Sequence, residues 1–72
     1  MEFKVFHGNH NSFIKNKCLG IFKSMTEAEM FVYSDIKKYR QNAFYIRVTY
    51  VSDTYRWYDY GNYTKFYHII GI

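Results

Sequence analysis

The residues best suited to metal chemistry in this chain are His7 and His10, spaced as His-x-x-His, together with Cys18 and His68. A structural zinc site asks for four ligands at recognisable spacings. One cysteine and a histidine within a polar turn do not meet that demand, so neither a metal nor another cofactor is expected. Cys18 reads as a small buried hydrophobe, because no fixed base is evident beside it. The acids Glu2, Glu27, Glu29, Asp35, Asp53 and Asp59 form no obvious pair in a concave site. Ser24 is explained as a helix cap, no G-x-S-x-G turn occurs, and the isolated glycines make no phosphate loop. The expectation is a protein that is not an enzyme and takes no small-molecule substrate.

The aromatic residues are more distinctive. Ten of the 24 residues from Phe44 to Tyr67 are Phe, Tyr or Trp, interleaved with Arg47, Arg56 and Lys65. Such a run can build the core of a small sheet, a surface for a partner, or a platform on which bases stack. The elements that carry it decide between these uses.

The clearest local signal is the helix start at Ser24, where Ser24 and Glu27 have the spacing of a capping box. Met25, Ala28, Phe31, Val32, Ile36 and Tyr39 make an apolar stripe at helical spacing. Glu27 and Glu29 fall in the first turns, and Lys37, Lys38 and Arg40 in the last. The helix dipole accounts for those charges without a ligand. Asn42 is suited to end the helix, which is predicted over 25–41. Upstream, Phe3 to Phe6 reads as a strand, His7 to Ser12 as a polar turn, and a second strand lies between Phe13 and Lys23.

Downstream, alternation predicts a strand from Phe44 to Val51, a four-residue loop over Ser52–Tyr55, and a tight Gly61-Asn62 hairpin turn. These turns would pair Val51 with Arg56, Tyr50 with Trp57, Trp57 with Phe66, Tyr58 with Lys65 and Arg56 with Tyr67. Tyr50, Trp57 and Phe66 then form one row beneath the helix, with His68 on the same face. Asp59 and Thr64 also fall there, where a buried Asp needs a partner. The reading is α+β: ββαβββ, a five-stranded, mostly antiparallel sheet in the order 2-1-3-4-5, with one helix on one face.

Seventy-two residues make one domain, spanning 1–72, with a thin stability margin. A hydrophobic fraction of 49% with no proline excludes disorder. A single cysteine favours a reducing compartment, and neither a signal peptide nor a membrane span is visible, so a cytoplasmic protein is expected. A net charge of +4 is ordinary for solubility and does not by itself imply nucleic acid.

Lys, Asn, Ile, Phe and Tyr supply 35 of the 72 residues, which points to an A/T-rich genome. With this composition, and with Leu19-Gly20-Ile21-Phe22-Lys23-Ser24 running into a helix at Thr26-Glu27-Ala28-Glu29, the chain resembles small prophage proteins of low-GC Gram-positive, Bacillus-like bacteria. The resemblance carries over no catalytic or binding residue. It implies an accessory role such as host takeover, inhibition or regulation.

Tyr45, Arg47, Arg56, Tyr58, Tyr60, Tyr63, Lys65 and Tyr67 are the candidate binding residues, expected to face away from the helix. Tyr and Arg are enriched at interface hot spots, so a protein-interaction module is the first expectation. Its partner would be a second copy, in a homodimer, or a host protein. The alternative is single-stranded nucleic acid, with bases stacked on the tyrosines and phosphates met by Arg and Lys.

Overall fold

The computed structural model describes residues 1–11, 16–39 and 45–72. It contains β1 (Phe3–Asn9), β2 (Cys18–Phe22), α1 (Met25–Tyr39), β3 (Arg47–Ser52), β4 (Tyr55–Asp59) and β5 (Lys65–Gly71). This is the expected α+β arrangement: ββαβββ, one five-stranded sheet, antiparallel throughout, with a single helix. Expectations for Ser12, Phe13, Arg40, Asn42 and Phe44 lie outside the described residues.

The strand order is 2-1-5-4-3 rather than 2-1-3-4-5. The reason lies in β5, whose Tyr67, His68 and Ile69 are all fully buried. A strand buried on both faces belongs in the middle of a sheet. There β5 pairs with β1 on one side and β4 on the other, and β3 becomes an edge. β1 is longer than expected, running through His7 to Asn9 to meet Tyr67, Phe66 and Lys65.

The helix begins as the sequence indicates. Ser24 Oγ accepts the Glu27 N–H at 3.1 Å, and Ser24 O accepts that of Ala28 at 3.2 Å. Ala28, Val32 and Ile36 are the buried positions, and they pack with Val5, Tyr58, Tyr60, Tyr67 and Ile69. Met25 and Phe31 lie against this cluster, whereas Tyr39 is exposed beneath Lys38.

Two local departures change the register. Ser52 pairs with Tyr55 as the turn requires, but the strand bulges at Val51, and beyond it Tyr50 faces Arg56 instead of Trp57. One extra residue on one strand moves every later side chain to the other face. The β4–β5 connection is also wider than a two-residue turn, so Tyr58 pairs with Tyr67 and Trp57 with His68. Asp59 Oδ1 accepts the Gly61 N–H, and Asn62 Oδ1 accepts those of Thr64 and Lys65. Gly61, at φ +100°, supplies the left-handed residue that this loop needs.

The larger correction concerns which face the helix covers. The covered face is that of Tyr58, Tyr67 and Ile69, not that of Trp57 and Phe66. The helix stripe is flanked by Glu29 and Asp35, and carboxylates held at the margin of a core need donors. Tyr58 Oη donates to Glu29 Oε2 at 2.6 Å, and Tyr67 Oη donates to Asp35 Oδ2. Arg56 completes the first group with an ion pair to Glu29 at 3.1 Å. Phenylalanine in either tyrosine position would offer no donor.

Replacing Tyr58 with Phe removes the donor while leaving Glu29 at the helix margin. The expected loss is about 1–3 kcal/mol of unfolding free energy in urea titrations. Tyr63→Phe, at a position 98% exposed, should stay within about 0.5 kcal/mol of the parent. Equal effects at the two sites would contradict this packing.

Candidate interaction surface

The eight candidate residues do not form one surface. Tyr58 and Tyr67 are fully buried and Tyr60 nearly so, with its hydroxyl sharing a 2.8 Å hydrogen bond with His7 Nε2. Arg56 is half-buried against Glu29. Only Tyr45, Arg47, Tyr63 and Lys65 are exposed. Three of the five tyrosines in the expected stacking platform therefore belong to the core. Tyr63 and Lys65 line two different shallow hollows beside the 60–64 loop, one shared with His10 and Phe66, the other with His7 and Tyr60.

The exposed members that come together do so at β3. Among the described residues, β3 has a strand neighbour on one side only. The helix packs over β1, β2 and β5, so the β3 side of the sheet extends past it. Tyr50 is 66% exposed there although it shares the helix face with Tyr58 and Arg56. Val51 is also exposed, while Val48 and Thr49 are half-buried. Arg47 lies 5.2 Å from the Tyr45 ring and Arg56 lies 4.8 Å from that of Tyr50, both within cation–π range.

A polar chain ties this edge to the core. Tyr50 meets Arg56, Arg56 meets Glu29, and Glu29 accepts from Tyr58, whose ring meets Tyr33 edge-on at 5.9 Å. Burial, and after it the Glu29 carboxylate, raises the Tyr58 phenol above its ordinary value. Burial also raises Tyr33, with Glu29 and Tyr50 adding to the effect. Both phenols are held in the protonated form. Tyr58 acts as a hydrogen donor to Glu29, and Tyr33 packs its ring against that of Tyr58.

The face away from the helix holds a second aromatic group, of which Trp57, Phe66 and His68 are expected from the sequence on the covered side. His10 lies across it, with ring centroids 4.7 Å from Trp57 and 5.2 Å from both Phe66 and His68. His68 Nδ1 shares a 3.0 Å hydrogen bond with Tyr55 Oη. Asp59, expected beneath the helix, instead lies opposite Arg47 and helps close the 60–64 loop. Thr64 is exposed in that loop.

Cys18 is exposed, not buried, with its thiol 3.4 Å from Gly20 O. Among the described residues no three His, Cys, Asp or Glu side chains converge as metal ligands. No helix among them is long and apolar enough to cross a membrane. Compared with known protein families, curated proteins and solved structures, the chain matches none.

His68 makes stability depend on pH with a definite sign. Burial foremost, with His10 and His7 adding to it, lowers His68 from 6.5 to about 4. The unfolded chain therefore takes up this proton first as pH falls. The stability due to neutral His68 is complete above about pH 6.5 and is lost on the way down to about pH 4. The full loss is on the order of 3 kcal/mol. Urea midpoints at pH 7 and pH 5 should show a clear drop for the parent and a smaller one for His68→Leu. The same drop in both would contradict the assignment.

Proposed function

We propose that this chain is a non-enzymatic protein-interaction module that works through the open edge of its sheet. The observation that carries the reading is the placement of β3: a strand with one described neighbour, bearing exposed Tyr50 and Val51 next to Arg47. An edge strand offers a row of backbone donors and acceptors to an incoming strand. Aromatic and arginine side chains beside that row are the kind that dominate binding energy in interfaces. Tyr50 is well suited to such a role, because Arg56 and Glu29 already hold its surroundings in place.

This keeps the expected class of function but moves the surface from the tyrosine face to the edge beside it. A place among prophage accessory proteins acting in the host cytoplasm is part of the same proposal, supported by the A/T-rich composition. No comparable support remains for a nucleic-acid platform, since its central tyrosines lie under the helix.

Photo-crosslinking in a low-GC Gram-positive host tests the reading. A photoreactive residue at Tyr50 should give discrete protein adducts. The same residue at Met30, which is 66% exposed on the helix, should give few. Equal adduct yields at the two positions, or none at Tyr50, would overturn it.

A further inference from the structure

We infer that the hollow lined by His7, Tyr60, Asn62 and Lys65 binds a phosphate group, carried by a small phosphate monoester. The hollow measures about 330 Å³ and lies against β1, β5 and the loop that precedes β5. All four lining side chains carry N–H or O–H groups, and no acid is among them. β4 separates β5 from the β3 edge, so the site does not depend on the reading of that edge.

The central strands position the first half of the site. His7 pairs with Tyr67 and Asn9 with Lys65, which makes His7 and Lys65 diagonal neighbours on one face. Tyr60 is only 6% exposed, its ring centroid 5.5 Å from that of Tyr67, which in turn lies 4.4 Å from the His7 ring. The 2.8 Å hydrogen bond between Tyr60 Oη and His7 Nε2 holds these two polar groups side by side in the wall. Groups fixed before a ligand arrives lose little freedom when it binds.

Asn62 and Lys65 supply the other half. Asn62 Oδ1 faces three donors: the Thr64 N–H at 2.9 Å, the Lys65 N–H at 3.0 Å and Thr64 Oγ1 at 3.4 Å. Backbone N–H groups can only donate, so the amide cannot be turned round, and Nδ2 with its two hydrogens points away from the loop backbone. The ion pair among the described residues is Arg56–Glu29, which leaves the Lys65 ammonium without a carboxylate. Asp59 Oδ1 is turned to the Gly61 N–H, and Asp35 Oδ2 takes the Tyr67 hydroxyl. One unbalanced cation and several fixed donors around a hollow call for an anion, since charge-assisted hydrogen bonds are the strong ones.

The form of the site selects the kind of anion. A phosphate monoester carries about −1.5 to −2 charges near neutral pH and presents three acceptor oxygens that point in different directions. Lysine is a common phosphate binder, acting as a point charge among directional donors. A carboxylate offers two oxygens in one plane, fewer than the donors that line this hollow. The volume falls at the lower end of the range for small-molecule sites, which leaves room for the organic part of a small ester.

Two-dimensional NMR of the purified chain at constant ionic strength tests this, with inorganic phosphate and glycerol phosphate as probes. Both should shift the Asn62 side-chain amide to saturation below about 10 mM, and acetate should not. Lys65→Gln should weaken binding about tenfold by removing a charge-assisted contact. Asn62→Asp, followed at the Lys65 amide, should abolish binding, because it keeps the oxygen that closes the loop and sets a carboxylate where Nδ2 stood. Lys23→Gln removes the same charge beyond the Phe3–Phe22 pair, at the other end of β1, and should leave binding within about twofold. Folds are checked by circular dichroism. Shifts that stay linear to about 10 mM would overturn the inference, as would equal losses for the two lysine variants or an Asn62→Asp variant that still binds. Saturation by acetate at the same concentrations would overturn phosphate, and saturation by inorganic phosphate alone would overturn the monoester.

Discussion

Two phenol hydroxyls beneath one helix determine how this molecule is arranged. Tyr58 and Tyr67 are fully buried, and a buried tyrosine needs an acceptor for its proton. Glu29 and Asp35, on either flank of the Ala28–Val32–Ile36 stripe, are those acceptors. The need is mutual, because the carboxylates require donors as much as the phenols require acceptors. Charged acceptors also make these hydrogen bonds stronger than neutral ones. The pairs fix the face that the helix covers. With the helix over β1, β2 and β5, β3 is left as an exposed edge.

The helix and the strand count were legible because each rests on short-range chemistry. Ser24 caps the helix through its own side chain, and the apolar spacing from Ala28 to Ile36 follows the helical repeat. Alternation located β3 and β4 to within a few residues for the same reason. The choice of covered face was not legible, because both faces of the β4–β5 hairpin are aromatic. Trp57 and Phe66 on one side and Tyr58 and Tyr67 on the other give no polar–apolar contrast to decide it. The deciding contrast was on the helix, where Glu29 and Asp35 look like ordinary surface charges until a donor is placed opposite them.

The candidate site was legible in part. Arg47 and Tyr45 were identified and are exposed, but Tyr50 was placed in the core. Tyr50 does share the helix face, but the helix packs over β1, β2 and β5 and leaves it uncovered. Strand order is the cause, because an edge exists only once distant strands have paired. The signal that could have revealed it was the stretch Phe66 to Ile70, with His68 its one strongly polar residue, too apolar for an outer strand. Cys18 failed for a related reason: it lies on the other edge strand, where a small apolar residue remains open to solvent.

Nuclear Overhauser contacts from the methyl groups of Val32 test the central claim most directly, because Val32 lies mid-helix and is fully buried. The account predicts contacts to the ring protons of Tyr58 and Tyr67, with none to Trp57 or Phe66. Contacts to the Trp57 and Phe66 rings instead would place the helix on the opposite face and contradict it.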